Sequence, residues 1–108
     1  MKHEQIKGRV YISGQISGLK PLAYKGRFRK AFNELAIHYG VHPANIINPA
    51  NIGDLFPSFD HDDYMAIDLS LLGRCENIYM LKGWENSEGA KIEKDFAEKN
   101  NIAIFYEK

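Results

Sequence analysis

The sequence predicts an α/β domain, a three-layer sandwich around a small parallel sheet, and three observations carry that expectation. Short runs rich in β-formers alternate with longer stripes of helical period. Glycines or an Asn-Pro pair interrupt the chain where the runs and stripes end. The length of 108 residues holds one core and leaves no comfortable room for a second domain, so residues 1–108 are read as a single unit.

Residues 9–13 (Arg-Val-Tyr-Ile-Ser) form the first strand, stopped by Gly14, and Gly14 to Gly18 is a glycine-bracketed turn. Between residues 23 and 39, Tyr24, Phe28, Ala31, Phe32, Leu35 and Tyr39 recur at helical spacing, with Gly40 as the terminator. Ile46-Ile47 is a short second strand broken by Asn48-Pro49-Ala50. A polar and aromatic loop then leads to Asp60, Asp62 and Asp63, carboxylates of the kind a helix N-terminus favours. The helix they open carries Tyr64, Ile67, Leu71 and Leu72. Residues 77–81 are a third strand, residues 82–87 a loop, residues 88–100 a helix and residues 102–106 the last strand.

The order β-α-β-α-β-α-β implies a parallel sheet of four or more strands with helices on both faces, of the flavodoxin or Rossmann type. Such sheets bind ligands beyond the C-terminal ends of their strands, near the point where strand order reverses. Three loops, at residues 14–22, 48–60 and 82–87, are therefore the places to look for a site.

Composition narrows the function. Apolar residues make up 44% of the chain and aromatics 12%, as in a folded globular protein. Lys plus Arg and Asp plus Glu are 14 each, which lacks the basic excess that binding a nucleic acid polymer requires. The near-zero net charge also favours self-association. Cys75 is the single cysteine, so neither an internal disulfide nor a cysteine-rich zinc site is expected, and its setting suits a small buried hydrophobe. The start, Met1 to Gln5, has no signal-like apolar stretch and no run reaches membrane-spanning length, so a cytoplasmic protein without membrane contact is expected.

Glu93 is the most informative residue. On its helix, Gly89, Ala90, Phe96 and Ala97 share its face at offsets of three and four, while Lys91, Lys94, Asp95 and Glu98 lie opposite. An acid on a sheet-facing stripe is paired, poised for chemistry, or reaching past the stripe's edge to water. Asp68 repeats the pattern between Tyr64 and Leu71, with an ion pair as the structural alternative. Two such acids on adjacent helices suit acid/base or nucleophilic work on a sugar. Ser87 is a natural N-cap, and Gly89 leaves room at the helix start. The turn from Gly14 to Gly18 can offer N–H groups to a phosphate but matches no standard nucleotide-loop pattern. Trp84 either stacks on a base or packs. His61-Asp62-Asp63 fits helix capping better than a metal, and no zinc-like spacing occurs.

Four ordered blocks carry a family resemblance: Val10-Tyr11-Ile12-Ser13-Gly14 with Ile16-Ser17-Gly18; Ile47-Asn48-Pro49-Ala50; Tyr64-Met65-Ala66-Ile67-Asp68-Leu69 with Leu71-Leu72 and Cys75; and residues 83–90, ending in Ser87-Glu88-Gly89-Ala90 and running on to Glu93. Over nearly its whole length the chain resembles the nucleoside 2-deoxyribosyltransferase-like superfamily, in particular a short branch common in phages and prophages. The resemblance implies Glu93 as the nucleophile at an anomeric carbon, Asp68 as an acid serving the base, and Tyr11 as the hydroxyl that orients Glu93. It further implies that Ser13, Gly14, Ile16, Ser17, Gly18, Asn48, Trp84, Ser87 and Gly89 surround the substrate. Ser17, Gly18 and Ser87 would lie near a 5′-phosphate, so a monophosphate is favoured over a free nucleoside. Gln15 departs from the proline frequent in this branch, and Lys20 is the nearest basic residue where nucleotide hydrolases tend to have arginine. No cofactor or metal is implied, and a homodimer or tetramer is. The expectation is cleavage or transfer of the N-glycosidic bond of a nucleoside or nucleotide; a non-catalytic nucleotide-binding or sensing module in the same pocket is the alternative.

Overall fold

The computed structural model describes residues 6–52 and 55–108. Its elements are β1 (Val10–Ser13), α1 (Pro21–Ile37), β2 (Ile46–Ile47), α2 (His61–Leu72), β3 (Asn77–Met80), α3 (Glu88–Lys99) and β4 (Ala103–Tyr106), with single 3-10 turns at Pro43–Asn45, Pro49–Asn51 and Trp84–Asn86. The four strands are parallel throughout, as the alternation of strands and helices predicts, and lie in the order β2-β1-β3-β4.

Alternation along the strands builds two cores. Val10 and Ile12 of β1 pack with Tyr24, Phe28, Ala31 and Leu35 of α1 on one face. Tyr11 points to the other face, where Ile78 and Met80 of β3 meet Leu72 of α2 and Ala90 and Ala97 of α3. The chain leaves β1 toward β2 and returns past it to β3, so direction reverses at β1. Right-handed crossovers then place α1 on one face and α2 and α3 on the other, giving the three layers. Among the described residues, no helix is long and apolar enough to cross a membrane.

Helix boundaries follow local chemistry rather than apolar period alone. α1 starts at Pro21, whose fixed φ suits a first helical position. It ends at Ile37, although the apolar pattern runs to Tyr39. Gly40 takes φ +67°, and the Val41 N–H donates to the Leu35 carbonyl at 3.0 Å, so the chain turns back while Tyr39 still packs in the core. α2 opens on a capping box: the Asp63 N–H donates to Asp60 at 2.9 Å and the Asp60 N–H to Asp63 at 3.0 Å. Cys75 is buried, its thiol donating to the Leu71 carbonyl at 3.5 Å, and burial pushes its pKa up to about 11, as befits an inert hydrophobe.

Gly14 follows β1 where the sheet leaves no space. A Cβ there would stand 2.9 Å from the Leu81 side chain. Gly14→Ala is expected to cost about 1–3 kcal/mol through overpacking, seen as a lower urea midpoint at unchanged slope. An unchanged midpoint would show that Leu81 yields freely.

Candidate functional site

β1 and α3 meet at the reversal point, and their side chains form a buried three-group constellation. Alternation places Tyr11 and Ser13 on the face covered by α3, and the helical stripe points Glu93 back at them. The Tyr11 hydroxyl donates to Glu93 Oε2, and the Ser13 hydroxyl donates to Glu93 Oε1 at 2.7 Å. Glu93 is only 5% exposed. Burial raises its pKa from the usual 4.5 to about 7; the two hydroxyls pull it down and Asp68 pushes it up. Burial, followed by the charge of Glu93, holds the Tyr11 phenol well above its ordinary 10, so Tyr11 stays a donor.

Asp68 of α2 approaches the same space. Burial raises its pKa from 3.8 to about 6, against the pull of His61 two turns earlier on the same face of α2. Both acids open onto a cavity of about 530 Å³. Its walls come from β1, the loop after it, the first turns of α1, the start of α2, and the start of α3.

Ser87 caps α3, its Oγ accepting from the Ala90 N–H at 3.1 Å. Ser87→Ala is expected to destabilise the domain by about 1 kcal/mol, and Ser87→Asp to restore most of it, in matched urea titrations. Equal loss in both variants would assign Ser87 a role other than capping. Gly89 lines the cavity, and a Cβ there would lie 3.3 Å from Met65 Sδ, so the glycine lets α2 and α3 close on each other.

Of the residues singled out from the sequence, Tyr11, Gly14, Ile16, Ser17, Asp68, Ser87, Gly89 and Glu93 line this one cavity. Ser13 stands behind Glu93 as its hydrogen-bond donor rather than at the wall. Asn48 is occupied locally, its side chain accepting from the Ala50 N–H at 3.1 Å. Gly18 is exposed, in a turn at φ +83°. Trp84 packs 6.3 Å from the Tyr106 ring, with the Lys94 ammonium 5.4 Å over its centroid, which is the packing role.

Part of the lining carries no functional signal in the sequence. Tyr24 and Phe28 read as core stripe and do bury, yet their edges also wall the cavity. Phe59, His61, Tyr64 and Met65 line it as well. The Tyr64 hydroxyl donates to the Phe56 carbonyl at 2.6 Å, and Phe59 stacks on Phe56 at 4.8 Å, which ties the aromatic loop to α2. The loop after β3 is pinned from two sides. The Lys82 carbonyl accepts from the Arg27 guanidinium, and the Lys82 N–H donates to Glu107 at 2.8 Å. Among the described residues, no group of three or more His, Cys, Asp or Glu is placed to hold a metal ion.

Fold and site together define a doubly wound α/β domain with a hydroxyl-clamped carboxylate at its strand-order reversal. The chain belongs to the family described as a domain of unknown function (DUF4406), whose model matches residues 8–106. No curated protein matches the chain.

Proposed function

We propose that this protein cleaves or transfers the N-glycosidic bond of a (deoxy)nucleoside or nucleotide, with Glu93 as nucleophile. The observation that carries the reading is the buried Glu93 carboxylate, held by a hydroxyl on each oxygen at the wall of a cavity it shares with Asp68. The resemblance to the nucleoside 2-deoxyribosyltransferase-like superfamily supports the same roles.

Departure of a nucleobase passes through an oxocarbenium-like state that a carboxylate below the anomeric carbon stabilises or traps. Glu93 forms a bond to C1′ as the C1′–N bond breaks, and the bond's electron pair leaves with the base. A neutral base takes a proton from Asp68 as it departs. Water or a second base then attacks C1′, the C1′–O bond to Glu93 breaks and frees the carboxylate, and the proton of the attacking group passes to Asp68. Tyr11 and Ser13 fix the orientation of Glu93 and moderate the effect of burial on its charge.

The test is a panel of nucleosides and their 5′-monophosphates, followed by chromatography for free base. Base release that Glu93→Ala abolishes is the expected result. Release at an equal rate in the variant sinks the proposal, and recovery of tightly bound, intact nucleotide in its place favours the binding-module reading. A cytoplasmic homodimer or tetramer goes with this function. Sedimentation would test the assembly.

A further inference from the structure

We propose that the preferred substrate of this cavity carries a positive charge on its base and no phosphate, as in an N-ribosylated pyridinium or an N-alkylated purine nucleoside. The inference rests on the glycosidic reading above and narrows it. Asp60, Asp68, Glu88 and Glu93 all line the cavity, and among its described lining residues there is neither lysine nor arginine. The guanidinium of Arg27 is engaged by the Lys82 carbonyl, and Lys20 lies exposed ahead of α1. Tyr24, Phe28, Phe59 and Tyr64 are also among the lining residues, and aromatic rings carry negative π faces that attract an organic cation.

Helix N-termini normally favour anions, and two of them open here. The chain's own groups already answer both, with Asp60 and Asp63 in the capping box of α2 and Ser87 and Glu88 at the start of α3. A phosphate would add its charge to Asp68 and Glu93, beside Asp60 and a Glu88 whose carboxylate stands 4.0 Å from the Lys91 ammonium, which reverses the preference implied by the resemblance.

The chemistry also suits a cationic base. Glu93 forms its bond to C1′, the C1′–N bond breaks, and its electron pair neutralises the base, which leaves without needing a proton. Water then attacks C1′, the C1′–O bond to Glu93 breaks, and the water proton passes to the Asp68 carboxylate and on to solvent. Asp68 faces His61 from its own helix, Glu93 from α3 and Tyr11 from β1, and with a pKa of about 6 it is mainly ionised near neutrality. A neutral base would depend on its minor protonated form, whereas a cationic base meets a counter-charge.

The experiment compares two ring probes on the full chain, the N-methylnicotinamide cation and neutral nicotinamide, by calorimetry near pH 8. The cation is expected to bind at least about tenfold tighter, with the preference collapsing in about 1 M salt. Alongside, kcat/KM is measured for nicotinamide riboside, its 5′-monophosphate and neutral inosine, each normalised to its uncatalysed rate. The riboside is expected to lead both by about tenfold or more. Equal or tighter binding of nicotinamide, or a lead for inosine or the monophosphate, overturns the charge selection and leaves the glycosidic reading standing. No base release from any glycoside overturns both.

Discussion

Replacing Glu93 with glutamine is expected to abolish turnover and at the same time to stabilise the fold at alkaline pH. Loss of the nucleophilic carboxylate should lower kcat/KM by roughly 10⁴-fold or more, the scale on which removal of a covalent nucleophile acts. Stability moves the other way because the folded protein raises the Glu93 pKa from 4.5 to about 7. Below pH 4.5 the residue is protonated in both states and contributes no difference. Between these values the unfolded chain releases its proton while the folded chain retains it, so stability falls as pH rises. Above about 7 the loss levels off at about 3 kcal/mol. Glutamine removes that penalty. Its one carbonyl oxygen cannot accept from Tyr11 and Ser13 as two carboxylate oxygens do, which returns about 1 kcal/mol. The variant should therefore gain about 2 kcal/mol at pH 8 and nothing, or a slight loss, at pH 4. Urea titrations at the two pH values decide it: equal destabilisation at both would mean that Glu93 is a structural hydrogen-bond hub and not a strained functional acid. Such a gain is the trade between stability and activity expected where burial holds a charge for chemistry.

Much of this was legible because the informative residues break local rules. Glu93 and Asp68 interrupt apolar stripes, and stripe arithmetic needs only residues three or four apart. The parallel sheet with helices on both faces followed from alternation and crossover handedness, neither of which depends on side-chain detail, whereas the strand order did not. The partners of Glu93 were harder to read. Ser13 lies 80 residues away in sequence, and its bond exists only because the pairing of β1 and β3 and the docking of α3 bring Ser13 and Glu93 together. Trp84 had two plausible fates, and Tyr106 on the last strand selects one of them. Tyr24 and Phe28 were hidden for a different reason: a core side chain and a cavity wall have the same hydrophobic signature until the empty space between the layers is known. Tyr39 obeyed the helical period and still fell outside α1, because Gly40 ends the helix by backbone conformation, which apolar periodicity does not report.

Asp68→Asn is expected to separate the acid's role from the nucleophile's through the pH profile. With a neutral-base substrate the wild type needs Glu93 ionised and Asp68 protonated together. The pair, near about 7 and about 6, is ordered so that this combination is a minority state at every pH. The rate should therefore trace a narrow bell between those values, falling on the acid side as Glu93 protonates and on the alkaline side as Asp68 ionises. Asparagine cannot supply the proton, so kcat should drop by about 10²-fold or more and the alkaline limb should vanish. The acid limb should also move to higher pH, toward the titration of Glu93 alone, because the wild-type limb belongs to the pair, whose first proton leaves mainly from Asp68. A merely structural Asp68 would lower the rate without moving either limb. With a cationic-base substrate the wild type itself should lack the alkaline limb, since the base leaves as a neutral molecule. In that case Asp68→Asn should raise KM, by removing a counter-charge from the cavity, and lower kcat wherever release of the sugar from Glu93 limits the rate, because the Asp68 carboxylate takes the water proton. A bell that keeps both limbs in the variant would assign the acid to another residue, with His61 beside Asp68 the first to examine.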